Sequence, residues 1–161
     1  MFYAQGIHIR KALKSNKAEG KKMGDAETSQ QQTYVEPSGL DKELKSTLAA
    51  VRKCKGVQSY SLSTRDGVPK GSYKLCDETH EETLDIMSAT IYGAAITAQG
   101  ELRKKEPKYV KVDAPEGALV IFKIQNYVLG INIGKDSEAE TLSELEKIIL
   151  NLENNGTNPT Q

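Results

Sequence analysis

Cysteine and histidine are scarce, with two of each in 161 residues. Cys54 and Cys76 make no C-x-x-C pair, and two thiols are too few for the disulfide framework of a small secreted domain. A reducing, cytoplasmic setting is the expectation. Neither charge is in excess, since 22 Lys and Arg balance 22 Asp and Glu. Nucleic-acid binding draws on surplus cations that replace counterions along the phosphates, so the expected partner is protein and not nucleic acid. Long apolar runs are missing too. The longest uncharged window, Ile86 to Gly100, would span about 22 Å as a helix against the roughly 30 Å of a hydrocarbon core, and it contains Ser, Thr, Gln and Gly. No membrane-crossing helix is expected. No continuous apolar run follows the N-terminal basic residues, so no secretory signal is read either.

What is present divides unevenly. Residues 1–36 are rich in Lys, Gln, Ser and Glu, with few aliphatics after Leu13, and read as a disordered tail. Its first two dozen residues carry six basic side chains against the single acid Glu19, with Phe2, Tyr3, Ile7, Ile9 and Leu13 as a weak apolar face. It is read as a solvated tail and not as a membrane-surface helix, because one short basic segment binds membranes only marginally. Residues 37–153 hold the periodic segments and form one domain, and residues 154–161 are a second disordered end.

Within the domain, Ser38-Gly39-Leu40-Asp41 reads as a helix start with Ser38 as N-cap, and Leu40, Leu44, Leu48 and Val51 recur at helical spacing. Arg52-Lys53-Cys54-Lys55 and Gly56 close that helix. Strands are predicted over Val57–Thr64 and Val68–Leu75 around an Arg65-Asp66-Gly67 turn, with Pro69 marking the second as weak or as an edge. Thr79-His80-Glu81-Glu82 opens a long helix running to about Lys104. Leu84, Met87, Ile91, Ala94, Ala95, Ala98 and Leu102 are taken as its sheet-facing side. Ile86, Ala89, Gly93, Ile96 and Gly100, flanked by Tyr92, make an opposite side that is equally uncharged, so Ile86, Ala89, Tyr92, Gly93, Ile96 and Gly100 are the candidate dimer or partner interface. Three strands, Lys108–Asp113, Ala118–Ile124 and Tyr127–Ile133, and a helix from Glu138 to Leu152 complete the chain. The apolar Leu119-Val120-Ile121-Phe122 implies cover on both sheet faces. The predicted class is therefore mixed α/β (α+β), a five-stranded antiparallel sheet between helices in the order α-β-β-α-β-β-β-α.

No catalytic, cofactor or metal site emerges. Gly130-Ile131-Asn132-Ile133-Gly134-Lys135 is one residue short of a phosphate loop and begins inside a strand. Cys76, Asp77, Glu78, His80, Glu81 and Glu82 are dense in ligand types, but they read as a capped helix N-terminus with favourable carboxylates. His80 is the domain's one histidine, without a partner to orient it as a base. Arg65 sits at a turn tip, where an arginine finger would sit, and reads as a solvated turn residue.

The segment Leu40 to Asn151 resembles the Roadblock family, which includes dynein light chains and prokaryotic regulators of Ras-like GTPases. The resemblance rests on Lys55-Gly56-Val57-Gln58 entering the first strand, the Thr64-Arg65-Asp66-Gly67-Val68-Pro69 turn, the Ala-rich long helix, and Gly117-Ala118-Leu119-Val120-Ile121. The closing helix makes the chain more similar to prokaryotic and endosomal-scaffold members than to dynein light chains. The resemblance implies homodimerisation through the long helix and the neighbouring third strand, binding of a Ras-like small GTPase, and no enzymatic activity. It further implies that hydrolysis is promoted, where it is, by repositioning the GTPase's own residues. Alternatives are a scaffold subunit without effect on GTP turnover, and a small-ligand sensor of PAS or profilin-like shape, which would be monomeric with an internal pocket.

Overall fold

A computed structural model describes residues 33–37, 39–75 and 81–156. Six strands form one antiparallel sheet in the order β1-β3-β2-β6-β5-β4. They are β1 (Thr33–Val35), β2 (Val57–Thr64), β3 (Pro69–Lys74), β4 (Tyr109–Ala114), β5 (Gly117–Ile124) and β6 (Tyr127–Gly134). Helices α1 (Lys42–Val51) and α3 (Glu138–Gly156) cover one face and α2 (Glu81–Glu101) the other. The α+β class and both helical layers are as expected, but the sheet has six strands instead of five. The extra strand, β1, lies within the segment read as tail. The remainder of that segment, residues 1–32, falls outside the described residues, as do Ser38, the metal-like run 76–80 with His80, and the side chains of Glu81 and Glu82.

The main core lies between the sheet and the α1/α3 layer. Leu44, Leu48 and Val51 of α1 and Leu145, Ile149 and Leu152 of α3 meet Tyr60, Leu62, Val120, Phe122, Leu129 and Ile131. Each such side chain contributes about 1.5–3 kcal/mol on full burial. β5 behaves as its composition requires: Val120 and Phe122 enter this core, while Ile121 enters a second cluster under α2 with Tyr92 and Val128.

Three local expectations are corrected. Asp41 caps α1, its carboxylate accepting a hydrogen bond from the Leu44 amide at 2.7 Å, so the acid takes the role assigned to Ser38. β3 is an edge only over its first half, where Pro69 lies: β1 pairs with Ser72–Lys74 alone, and Pro69 opens the strand opposite Ser63, where the β2 register shifts. α1 also closes earlier than read, at Val51 with Arg52 as its C-cap; Gly56, at φ +96°, lies instead in the Cys54–Val57 turn that enters β2, where any side chain would meet Ser137 and Thr141.

Candidate interaction surface

α2 carries no Asp, Glu, Lys or Arg between residues 86 and 100, so neither of its long sides is marked as solvated by charge. The sheet decides which side is buried. Tyr92, the bulkiest residue of the helix, is 2 % exposed, inserts among Ile121 and Val128, and donates its hydroxyl to the Pro107 carbonyl at 3.0 Å. Burial is the main cause raising its pKa. Ile96 packs beside it and Ala89 is buried one turn earlier.

Nearer its start, α2 meets small polar residues. Ser59, Ser61 and Ser63 alternate along β2 and face it, Asp85 and Ser88 are buried on the helix, and Gly130 of β6 lacks the side chain that would strike the Ser88 hydroxyl. The hydroxyls of Ser59, Ser61, Ser63 and Ser88 have no hydrogen-bond partner among the described residues. The phosphate-loop likeness therefore dissolves: Gly130 is a mid-strand residue paired with Ser61 and Ile121, its smallness used for helix packing.

The six candidate residues are thus divided. Ile86, Gly93 and Gly100 are exposed, whereas Ala89 and Tyr92 are buried against the chain's own sheet and Ile96 is half-buried there. Met87, Ala94, Ala98 and Leu102, read as sheet-facing, point outward instead. The helix is rotated relative to the expected orientation because Tyr92 takes the apolar half of the sheet and Ser88 matches the serine half. Two uncharged sides give a helical wheel no means of choosing; Tyr92's size and the alternating serines of β2 were the available signals.

The outward side is less polar than its composition. Thr90 donates its hydroxyl to the Ile86 carbonyl at 2.8 Å and Thr97 to the Gly93 carbonyl at 3.1 Å, so both turn their polar atoms back onto the helix. Built at Gly93 or Gly100, a Cβ meets nothing within 4 Å, so another backbone can approach closely there.

Beside this surface lies β4, which among the described residues pairs with β5 alone and leaves its outer backbone groups without a strand partner. Its alternation sends Val110 and Val112 to the α2 side, Val112 being 42 % exposed. On the other side Lys111 bridges Asp113 at 2.8 Å and the Glu138 carboxylate of α3, and these contacts, Asp113 first, raise its pKa. That lysine is thereby held over the sheet face rather than along the open edge.

No cluster of three or more His, Cys, Asp and Glu occurs among the described residues. Arg65 lies in the β2–β3 turn close enough to act on Glu106 and Tyr92; Glu106, held mainly by its 2.6 Å bond from Lys123, has a lowered pKa. A cavity of about 680 Å³ is a surface recess bounded by Tyr92, Pro107, Leu152 and the charged Glu106, Lys108, Lys123 and Glu153. A small-ligand sensor would instead want an apolar enclosure. Among the described residues, no helix is long and apolar enough to cross a membrane.

No protein-family model matches the chain, and no curated protein does. Solved structures do. A Roadblock/LC7 domain from Streptomyces avermitilis superimposes with a TM-score of 0.56 at 15% identity, covering 67% of this chain and 92% of that one. MglB of Myxococcus xanthus gives 0.58 at 11% identity over 76% and 98% of the two chains. The Thermus thermophilus gliding protein MglB gives 0.52 at 13% over 73% and 99%. The chain has the Roadblock fold.

Proposed function

We propose that this chain is a dimeric, non-catalytic interaction module that binds and regulates a Ras-like small GTPase. The observation that carries this reading is the uncharged outward side of α2, continuous with the valine side of the open β4 edge, on a Roadblock fold. A two-fold pairing of β4 with its copy would satisfy that edge's backbone groups, bring the two α2 helices together at Gly93 and Gly100, and join six strands from each chain into one sheet. The GTPase follows from the resemblance to Roadblock regulators of prokaryotic Ras-like GTPases. A scaffold subunit that tethers without altering GTP turnover is the second reading, favoured by the same surface.

Nucleotide-state preference is the expected signature. Switch loops are ordered by the γ-phosphate and released after hydrolysis, so a surface fitted to one arrangement binds the other less well. The test is binding of the full chain to the small GTPases of its own organism, each loaded with GDP or a non-hydrolysable GTP analogue, followed by turnover with and without the protein. State-selective binding with faster hydrolysis supports regulation, whereas binding without any change in turnover, or no binding to any of them, overturns regulation in favour of the scaffold. In a regulator of this kind Arg65→Ala lowers turnover far less than the ~10³ to 10⁵ lost with an arginine finger. GTP hydrolysis by the purified chain alone would overturn the reading.

A further inference from the structure

The edge of β3 is covered by only the three residues of β1, and specific features hold them there. Tyr34 lies opposite Tyr73 in the register, and the Arg52 guanidinium sits 4.7 Å from the Tyr34 ring centroid and 5.8 Å from that of Tyr73. Tyr73 in turn lies tilted against Tyr60, ring centroids 5.8 Å apart, so the arginine and three tyrosines form one contiguous group. Three positions after Tyr34, Pro37 is buried against Gly71. A Cβ at Gly71 would come within 2.7 to 3.1 Å of three Pro37 atoms, which are its three nearest neighbours. Gly71 thus leaves a proline-sized seat, and Arg52 with Tyr73 makes an aromatic one.

The occupant is held loosely for a strand. Tyr34 is 45% exposed and Val35 50%. The flanking ion pair, Lys45 to Glu36, spans 3.9 Å between exposed side chains, a kind that contributes little. Residues 38–41, with Gly39 at φ +72°, link the strand directly to α1, so its hold depends largely on the high local concentration a short tether provides.

We infer that the β3 edge, with Arg52, Tyr73 and Gly71, is a strand-accepting site for an extended protein segment carrying an aromatic residue three positions before a proline, and that the chain's own Thr33–Pro37 is its displaceable plug. Backbone pairing to β3 supplies affinity and the two seats supply selectivity, the usual division of labour when a peptide extends a sheet. The site lies at the opposite edge of the sheet from β4, so it remains open to a partner whatever β4 binds.

The test uses full-length protein and a fluorescent synthetic peptide with the sequence of residues 31–39. Tyr34→Ala/Pro37→Ala weakens the plug and leaves the acceptor intact. This variant should bind the peptide roughly tenfold or more tightly than the wild type, where the tethered segment competes. Adding Gly71→Ala or Arg52→Ala should abolish the gain, and a peptide lacking the tyrosine should not bind. Absence of binding to a plug variant that still melts cooperatively would overturn the inference, as would equal binding to wild type or indifference to Gly71→Ala. If the double variant does not fold, the wild type carries the test. Excess peptide should then accelerate hydrogen exchange at those alternate β1 amides that donate to β3, and unchanged exchange there would refute displacement.

Discussion

Single residues carry the contact between α2 and the sheet. Gly130 faces Ser88 so closely that Gly130→Ala overfills the site and should cost about 1–3 kcal/mol in denaturant unfolding. Ser61→Ala removes a buried hydroxyl with no described partner, so stability should stay level or rise by up to about 1 kcal/mol. A loss comparable to that of Gly130→Ala would mean that the Ser61 hydroxyl is satisfied. Cys54 makes a different prediction. Burial first, and then the Glu144 carboxylate, push its thiol up to about 11. A raised thiol pKa favours the neutral folded form, so its contribution is complete below the ordinary thiol value near 8.5 and is lost as pH rises through the folded value. Alkylation of Cys54 in the native protein, followed by peptide mapping, should therefore be slow at pH 8 and accelerate towards pH 11. Rapid modification at neutral pH would contradict this.

At the scale of the element, the helix ends are where local rules hold or bend. Asp41 satisfies a first-turn amide of α1, and Asp41→Ala should cost about 1 kcal/mol by thermal or denaturant unfolding. α2 ends in a Schellman turn, with Lys104 bonded to the Gln99 carbonyl and Arg103 to that of Gly100. The left-handed residue of this turn is Arg103, at φ 53°, where glycine is the usual occupant. Arg103→Gly should gain about 0.5–1 kcal/mol, less whatever the freer unfolded chain takes back, and a clear loss would show that its side chain makes a contact of consequence.

At the scale of the whole molecule, the two sheet edges differ in kind: β3 is covered over Ser72–Lys74 by the chain itself, whereas β4 has no strand beyond it among the described residues. The proposed association through α2 and β4 predicts different outcomes for residues of similar chemistry according to the side they occupy. Gly93→Glu places a charge on the outward side, where nothing lies within 4 Å, and should leave the fold intact while light scattering shows the dimer reduced to monomer. Ala89→Glu places the same charge against the sheet and should destabilise the monomer itself by about 3 kcal/mol or more. A wild-type protein that is monomeric at micromolar concentration, or a Gly93→Glu variant of unchanged size, would remove β4 and α2 as the interface.

Most elements were legible in the sequence, because periodicity and turn chemistry are local: β2 spans Val57–Thr64 as read, and the stripe of Leu145, Ile149 and Leu152 faces the core. The sequence by itself also determined that α2 has no charged side. Which way α2 turns was decided only in three dimensions, by Tyr92 against Ile121 and Val128 and by Ser88 against Gly130, strands apart in the chain. The sixth strand was equally invisible. Thr33-Tyr34-Val35 is too short to show a period, and what makes it a strand is a set of distant partners: Tyr73, Arg52 and the missing side chain of Gly71. Long-range fit chose among faces and edges that local pattern left equivalent.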